Sequence, residues 1–215
     1  MAQDRLKIWE TLFQKALQVI DSADATVFRS ETWSFGGGTV LMQRYRHRLS
    51  KDIDIFVPDP QYLGYLSPRL NDTVEKLTSK YLEGSSFLKL YFDEGEVDFV
   101  VSPPLTKNPT AVETLFDRQV RVETSAEILA KKIKYRGPEF KARDIFDFAL
   151  VVEKEPAALA KVSPFIRENR KAILARIASS DKILRQTFAA LEVLDYRRTY
   201  DECVSTVKKV LDKYQ

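Results

Sequence analysis

The sequence predicts an α+β fold: a small mixed sheet with flanking helices, followed by a C-terminal helical bundle. Three observations carry this. The β-rich runs, at 32–35, 52–57, 86–92, 96–102 and 119–123, all fall in the first 123 residues. From Thr124 onward the pattern is helical almost throughout, and no glycine follows Gly137. Two of the runs flank Asp93-Glu94-Gly95, a hairpin connection that builds an antiparallel pair into the sheet. A doubly wound Rossmann sheet would need more βα repeats than this length supplies. The expected organisation is an α/β core over residues 1–123 and a helical domain over 124–215 that contributes to the site.

Each element has its own signature. Leu6, Trp9, Leu12, Phe13, Ala16, Leu17 and Ile20 recur at helical spacing, which predicts an amphipathic helix over 4–20. Thr32–Phe35 is short and aromatic and runs into Gly36-Gly37-Gly38, so a strand ends there in a tight turn, and 39–46 forms a helix. Asp52–Val57 alternates polar and apolar and stops before Pro58, as a strand does. Leu70, Val74, Leu77 and Tyr81 fall on one face of a helix over 69–82. Residues 103–110, with three prolines, read as a loop. Thr124 or Ser125 caps a helix with Glu127 in its first turn. Gly137-Pro138 ends that helix, another runs over 141–152, and further helices fill 157–215.

Composition excludes several classes. Hydrophobic residues make up 44% and charged residues 30% of 215, which is an ordinary globular balance and not that of a disordered chain. No run approaches the ~18 apolar residues of a membrane span, and Met1–Glu10 mixes charges with no apolar h-region, so no membrane attachment or secretory leader is expected. The single cysteine, Cys203, fits a reducing cytoplasm and small apolar packing. The single histidine, His47, rules out multi-His zinc sites and reads as a surface or hydrogen-bonding residue. Residues 1–123 hold 15 basic and 18 acidic residues, net −3; residues 124–215 hold 19 and 13, net +6. An acidic half joined to a basic half is the balance of a metal site facing an anionic substrate.

The chemistry centres on Asp52 and Asp54. On a strand, residues i and i+2 face the same way, ~6–7 Å apart. Two carboxylates there repel each other, and a divalent cation is the simplest compensation. Asp98, with apolar neighbours in a second strand ~4.8 Å away, can reach the same ion, and Glu96 competes for that place. Three carboxylates on two strands suit two-metal phosphoryl transfer. Gly36, Gly37, Gly38 and Thr39 follow a strand and open a helix, where backbone N–H groups can cradle a triphosphate. This is not a P-loop, because no Gly-Lys-Ser/Thr follows. Arg44, Arg46, His47 and Arg48 lie between cradle and acids, and one or two of the arginines can meet phosphate. Ser50 caps or bonds the loop. In the helical half, Lys132 and Arg136 share one helix face, and so do Asp144 and Asp147.

These residues together resemble a known family. Phe35-Gly36-Gly37-Gly38-Thr39, a helix, then Arg48-Leu49-Ser50-Lys51-Asp52-Ile53-Asp54 is similar to the AbiEii/AbiGii toxins, nucleotidyltransferases of the polymerase-β-like fold found in type IV toxin–antitoxin systems. The likeness continues through Ile128-Leu129-Ala130-Lys131-Lys132-Ile133 and Arg143-Asp144-Ile145-Phe146-Asp147, so it spans about residues 30–150. It implies transfer of a nucleotide from an NTP, dependent on Mg²⁺ or Mn²⁺, with Asp52 and Asp54 as metal ligands and Asp98 as the third acid. Lys132 would meet the nucleotide phosphates, with Arg48 and Ser50 in the nucleotide-binding set. Asp144 would complete the site, with Arg143 supporting it. The implied acceptor is a hydroxyl of RNA such as tRNA, or of a protein, and the implied partner is an antitoxin encoded nearby. Two alternatives remain at this point: a catalytically inert nucleotide-binding module, and an aminoglycoside-like small-molecule nucleotidyltransferase.

Overall fold

The structure, a computed structural model, describes residues 5–26 and 28–214. The first residue of the helix predicted over 4–20 lies outside them, as do Met1–Gln3 of the leader reading. The chain divides into two compact units. Of the described residues, the first comprises 5–26, 28–40, 50–104 and 110–123, and the second 41–49, 105–109 and 124–214.

The first unit is built on a seven-stranded mixed sheet. Its strands are β1 (Ser34–Gly36), β2 (Ile53–Val57), β3 (Tyr81–Glu83), β4 (Phe87–Phe92), β5 (Gly95–Val101), β6 (Thr110–Leu115) and β7 (Arg118–Glu123). Their order across the sheet is β3-β4-β5-β2-β1-β7-β6. The β2–β5 and β1–β7 pairs are parallel and the rest antiparallel. Alternation along β2 and β5 separates two faces. Ile53, Ile55, Val57, Val97 and Phe99 are fully buried on one of them. The first helix, α1 (Ile8–Asp21), packs Leu12, Phe13, Ala16, Val19 and Ile20 there. Phe13 and Phe35 meet with ring centroids 4.6 Å apart. With that face sealed, the polar residues of the same strands are left for the other.

Helix α2 (Gly37–Tyr45) follows β1 directly. The helix predicted over 69–82 is shorter, α4 (Asp72–Leu77), and a further short helix not predicted from the sequence, α3 (Gln61–Leu66), precedes it. Asn71 starts α4 by accepting from the Thr73 and Val74 amides, and Thr78, extended at φ −158°, ends it. Of the predicted stripe Val74 is buried, whereas Leu70 is 62% exposed and Tyr81 belongs to edge strand β3. The expected loop at 103–110 is found up to Pro109, and it is followed by a strand not predicted from the sequence, β6, an edge strand whose residues are exposed or half-buried and so show no alternation. Phe116 and Asp117 close its hairpin with β7, both at positive φ, as a tight two-residue turn requires.

The second unit is helical: α5 (Ser125–Arg136), α6 (Ala142–Lys154), α7 (Ala158–Ser179), α8 (Asp181–Ala189) and α9 (Tyr200–Lys213). Thr124 caps α5 as its sequence predicts, accepting from the Glu127 amide at 3.2 Å. Glu127 is itself buried and accepts from the Leu105 and Thr106 amides at 2.9 and 2.8 Å, which ties residues 105–109 to this unit. Phe140, Phe146, Phe148 and Phe188 form its aromatic core, and Cys203 packs there as a buried small residue. Among the described residues no helix is long and apolar enough to cross a membrane.

Candidate active site

On the sheet face opposite α1, four strands place one residue each in a single row. Lys89 of β4 lies opposite Asp98 of β5, Asp98 opposite Asp54 of β2, and Asp54 opposite Gly36 of β1. Directly opposed residues share a face and lie within side-chain reach. The Lys89 ammonium donates to Asp98 Oδ2 at 2.9 Å and to Glu96 Oε2 at 2.6 Å. Asp98 Oδ1 is buried and, among the described residues, has no hydrogen-bond partner. Burial pushes the Asp98 carboxyl up to about 6, against the pull of Lys89 and with the charge of Asp54 adding to the rise. Burial draws the Lys89 ammonium down, but its bonds to Glu96 and Asp98 outweigh this and move it up.

Asp52 is placed differently. It precedes β2 by one residue, and its Oδ1 lies 3.4 Å from the Glu96 amide at the start of β5. The three carboxylates predicted to converge therefore form a pair, Asp54 and Asp98, with Asp52 turned toward the backbone of β5. Among the described residues no three His, Cys, Asp or Glu side chains are grouped to hold an ion. The physical reason is local: Lys89 already neutralises one oxygen of Asp98, and a backbone donor draws Asp52 away.

The glycine bend adjoins Asp54. Gly37 has φ +74°, and a Cβ there would lie 2.6 Å from the Asp54 carboxyl carbon. Glycine is thus needed both for the backbone angle and for the approach of the carboxylate. Gly38 and Thr39 continue into the buried first turn of α2. The Thr39 hydroxyl faces inward, donating to the Asp52 carbonyl at 2.6 Å and lying 3.1 Å from the Ser50 hydroxyl. It fixes the entry to β2. The opening backbone N–H groups of α2, like those of any helix, lack an intrahelical acceptor, and donors of this kind receive phosphate.

The second unit holds its own buried ion network. Arg48 donates from Nε and Nη2 to the two oxygens of Asp147, each at 2.8 Å. Lys132 Nζ lies 2.7 Å from Asp144 and 3.0 Å from Asp147, and Arg136 donates to Asp144 at 2.8 Å. The two helix faces read from the sequence are thus brought together. Burial alone would raise both carboxyls. Lys132 and Arg136 hold Asp144 below the usual 3.8, and Arg48 and Lys132 hold Asp147 well below it. Arg143 is half-buried on α6, and burial together with its charge lowers the Lys141 ammonium.

His47 is fully buried in this network, not at the surface, with Nε2 2.8 Å from Asp147 Oδ1. Burial lowers its pKa from 6.5, against the opposing pull of Asp147. A depressed histidine stabilises the fold above its unfolded pKa, and that contribution is lost as pH falls from 6.5 through the folded value. Because His47 is the sole histidine, its imidazole proton resonances report it alone. Their midpoint is expected below 6.5 and stability is expected to decline from there downward; a midpoint at or above 6.5 would contradict the burial argument.

Sequence reasoning passed over Lys89 and Glu123. Glu123 ends β7, is buried, and accepts from the Ser34 hydroxyl at 3.0 Å; a Cβ on Gly36 would come within 2.7 Å of its carboxyl carbon. The alternation of Val120 and Val122 toward the core already directs Glu123 to the acid face.

Known proteins share the fold. No curated protein matches the sequence. A candidate nucleotidyltransferase of H. pylori has a similar structure at TM-score 0.52 and 13% identity, over 99% of this chain and 96% of that one. The MenT4 nucleotidyltransferase toxin of Mycobacterium tuberculosis H37Rv is similar at TM-score 0.52 and 16% identity, over 93% and 82%. The antibiotic-resistance factor ANT(2'')-Ia is similar at TM-score 0.51 and 16% identity, over 85% and 98%. At these identities the likeness concerns the fold: an α+β nucleotidyltransferase sheet with C-terminal helices. The sequence profile described as the nucleotidyl transferase AbiEii toxin of type IV toxin–antitoxin systems matches residues 21–213, nearly the whole length. On that match, the chain belongs to the AbiEii family of nucleotidyltransferase toxins.

Proposed function

We propose that the chain transfers a nucleotide from an NTP to a hydroxyl of RNA such as tRNA, or of a protein, using a divalent cation, Mg²⁺ or Mn²⁺. The observation that carries this reading is the row of Gly36, Asp54 and Asp98 across β1, β2 and β5. The donor set fits such a cation: hard carboxylate oxygens, one of them buried without a hydrogen-bond partner among the described residues. Mg²⁺ is commonly held by one or two carboxylates with the remaining places filled by phosphate and water. Asp54 and Asp98 would hold it; Asp52, a ligand candidate from the sequence, stands one residue before β2 with its Oδ1 3.4 Å from the Glu96 amide. When bound, the cation supplies charge neutralisation for the triphosphate and the attacking hydroxyl. The chain's own contribution is positioning. The Gly36–Gly38 bend lets the α2 N-terminus approach phosphate, and Thr39 anchors the segment that carries the acids.

The net charge of +6 over residues 124–215 supports a polyanionic acceptor. By the sequence resemblance alone we also propose Lys132, toward the NTP phosphates, Asp144 and Arg143 for the reaction. Membership of a type IV toxin–antitoxin family supports an antitoxin partner and a cytoplasmic setting, where NTPs and both acceptors are found. The test is incubation with each labelled NTP and total RNA or cell protein, with and without a chelator. Asp54→Asn is expected to lower metal-dependent transfer by at least about 100-fold while leaving the melting temperature nearly unchanged. Transfer that persists in the variant would remove Asp54 from the chemistry; NTP binding without transfer in the parent would favour an inert module.

A further inference from the structure

We infer that Lys89 is a positioning residue of the transfer reaction: its ammonium holds Oδ2 of Asp98 and so turns Oδ1 toward Asp54. The inference rests on the proposed metal-dependent transfer and adds to it the group that aims one of its carboxylates.

The need for such a group comes from the row itself. An aspartate carboxylate turns about its last side-chain bond with only a broad, two-fold preference. Asp98 has Asp54 opposite it on β2 and Glu96 two residues before it on the same face of β5. Neighbouring carboxylates repel one another, which favours turning them apart. A misplacement of about 1 Å at a reacting centre can cost about 100-fold in rate.

Lys89 opposes that turning. The strand order β4-β5-β2 puts Lys89 and Asp54 on opposite sides of Asp98. The ammonium donates to Asp98 Oδ2 at 2.9 Å, and a hydrogen bond between charged groups is roughly twice as strong as a neutral one. With Oδ2 drawn toward β4, Oδ1 is left on the β2 side, buried and without a hydrogen-bond partner among the described residues. The lysine is itself fixed. Glu96 accepts from it at 2.6 Å. Leu88 and Leu90 on either side are fully buried on the α1 face, which directs Lys89 to the acid face. Its side chain is 25% exposed, so the bond is partly shielded from water.

The test is steady-state transfer of labelled nucleotide by the full chain with Mn²⁺, to total RNA or cell protein as the parent requires. Mn²⁺ binding is read in parallel by electron paramagnetic resonance. Lys89→Met is expected to lower kcat about 10–100-fold, with KM for the NTP within about 3-fold of the parent's, the loss usual when a partner that orients a metal ligand is removed. Mn²⁺ is expected to bind that variant at least as tightly as the parent, because a positive charge beside the acids has gone. Lys89→Arg, which keeps both charge and donor, is expected to recover most of kcat. Lys15→Met is the control. Lys15 is comparably exposed, and its ion pair with Glu94 lies outside the row, so parental kcat is expected. Parental kcat in Lys89→Met, or in Lys89→Gln where the first variant does not fold, overturns the role of Lys89 and leaves the metal-dependent reading standing. Unfolding of both neutral variants does the same, since it makes the lysine structural. A parent without metal-dependent transfer of any NTP overturns the reading itself.

Discussion

Asp147→Ala is expected to cost about 3–5 kcal/mol of folding stability, the usual loss when one partner is removed from a buried ion pair. Asp147 is almost completely buried and accepts from Arg48 and His47, with Lys132 3.0 Å away. Without it, the Arg48 guanidinium is left buried with its main counter-charge gone. Lys132 keeps Asp144, so the damage falls chiefly on Arg48 and His47. Arg136→Ala provides the contrast, because that side chain is 34% exposed and a partly solvated pair contributes about 0–1 kcal/mol. Urea unfolding of the two variants separates them. Equal midpoints would mean that solvent reaches Asp147 far more freely than the packing around it allows.

Gly37→Ala is expected to damage both stability and transfer. The backbone at φ +74° disfavours any side chain, at about 1–3 kcal/mol for a non-glycine residue held in such a region. The new Cβ would also overlap Asp54 and must displace the carboxylate. Transfer is therefore expected to fall about as far as in Asp54→Asn, at least about 100-fold, with a lower melting temperature that Asp54→Asn does not show. Gly64→Ala is the matched control. It sits within α3, and its nearest foreign atom would be 3.8 Å away, so a neutral or slightly stabilising effect is expected. A Gly37→Ala variant with parental transfer would detach Asp54 from the reaction.

Much of this architecture was legible because it is local. The Gly36–Thr39 bend, the Thr124 cap and the alternation in β2 each depend on residues a few positions apart, and each is found where the sequence predicts it. The elements missed were those whose burial is decided by distant partners. β6 is an edge strand with no buried face to leave a pattern, and the stripe expected from Leu70 to Tyr81 is broken by a cap and an extended threonine. Lys89 was hidden by a single position of register. Reading Asp93-Glu94-Gly95 as a three-residue connection would set Lys89 opposite Phe99, on the core face. The turn uses only Asp93 and Glu94, Phe92 pairs with Gly95, and Lys89 meets Asp98. A one-residue slip exchanges the two faces of a strand, so the lysine's role could not be read without the exact turn. The same holds for Asp52, whose spacing to Asp54 is that of a strand pair although the strand begins only at Ile53.

The row of Gly36, Asp54, Lys89 and Asp98 also bears on when the protein first becomes competent. Its members come from four strands, and the pairing of β2 with β5 closes a loop of more than forty residues. Long-range pairing of this kind is slow and is rewarded only after loop-closure entropy has been met. During synthesis, a chain that has formed its first strands holds these groups far apart. The arrangement proposed for catalysis is complete only when β1, β2, β4 and β5 have all paired.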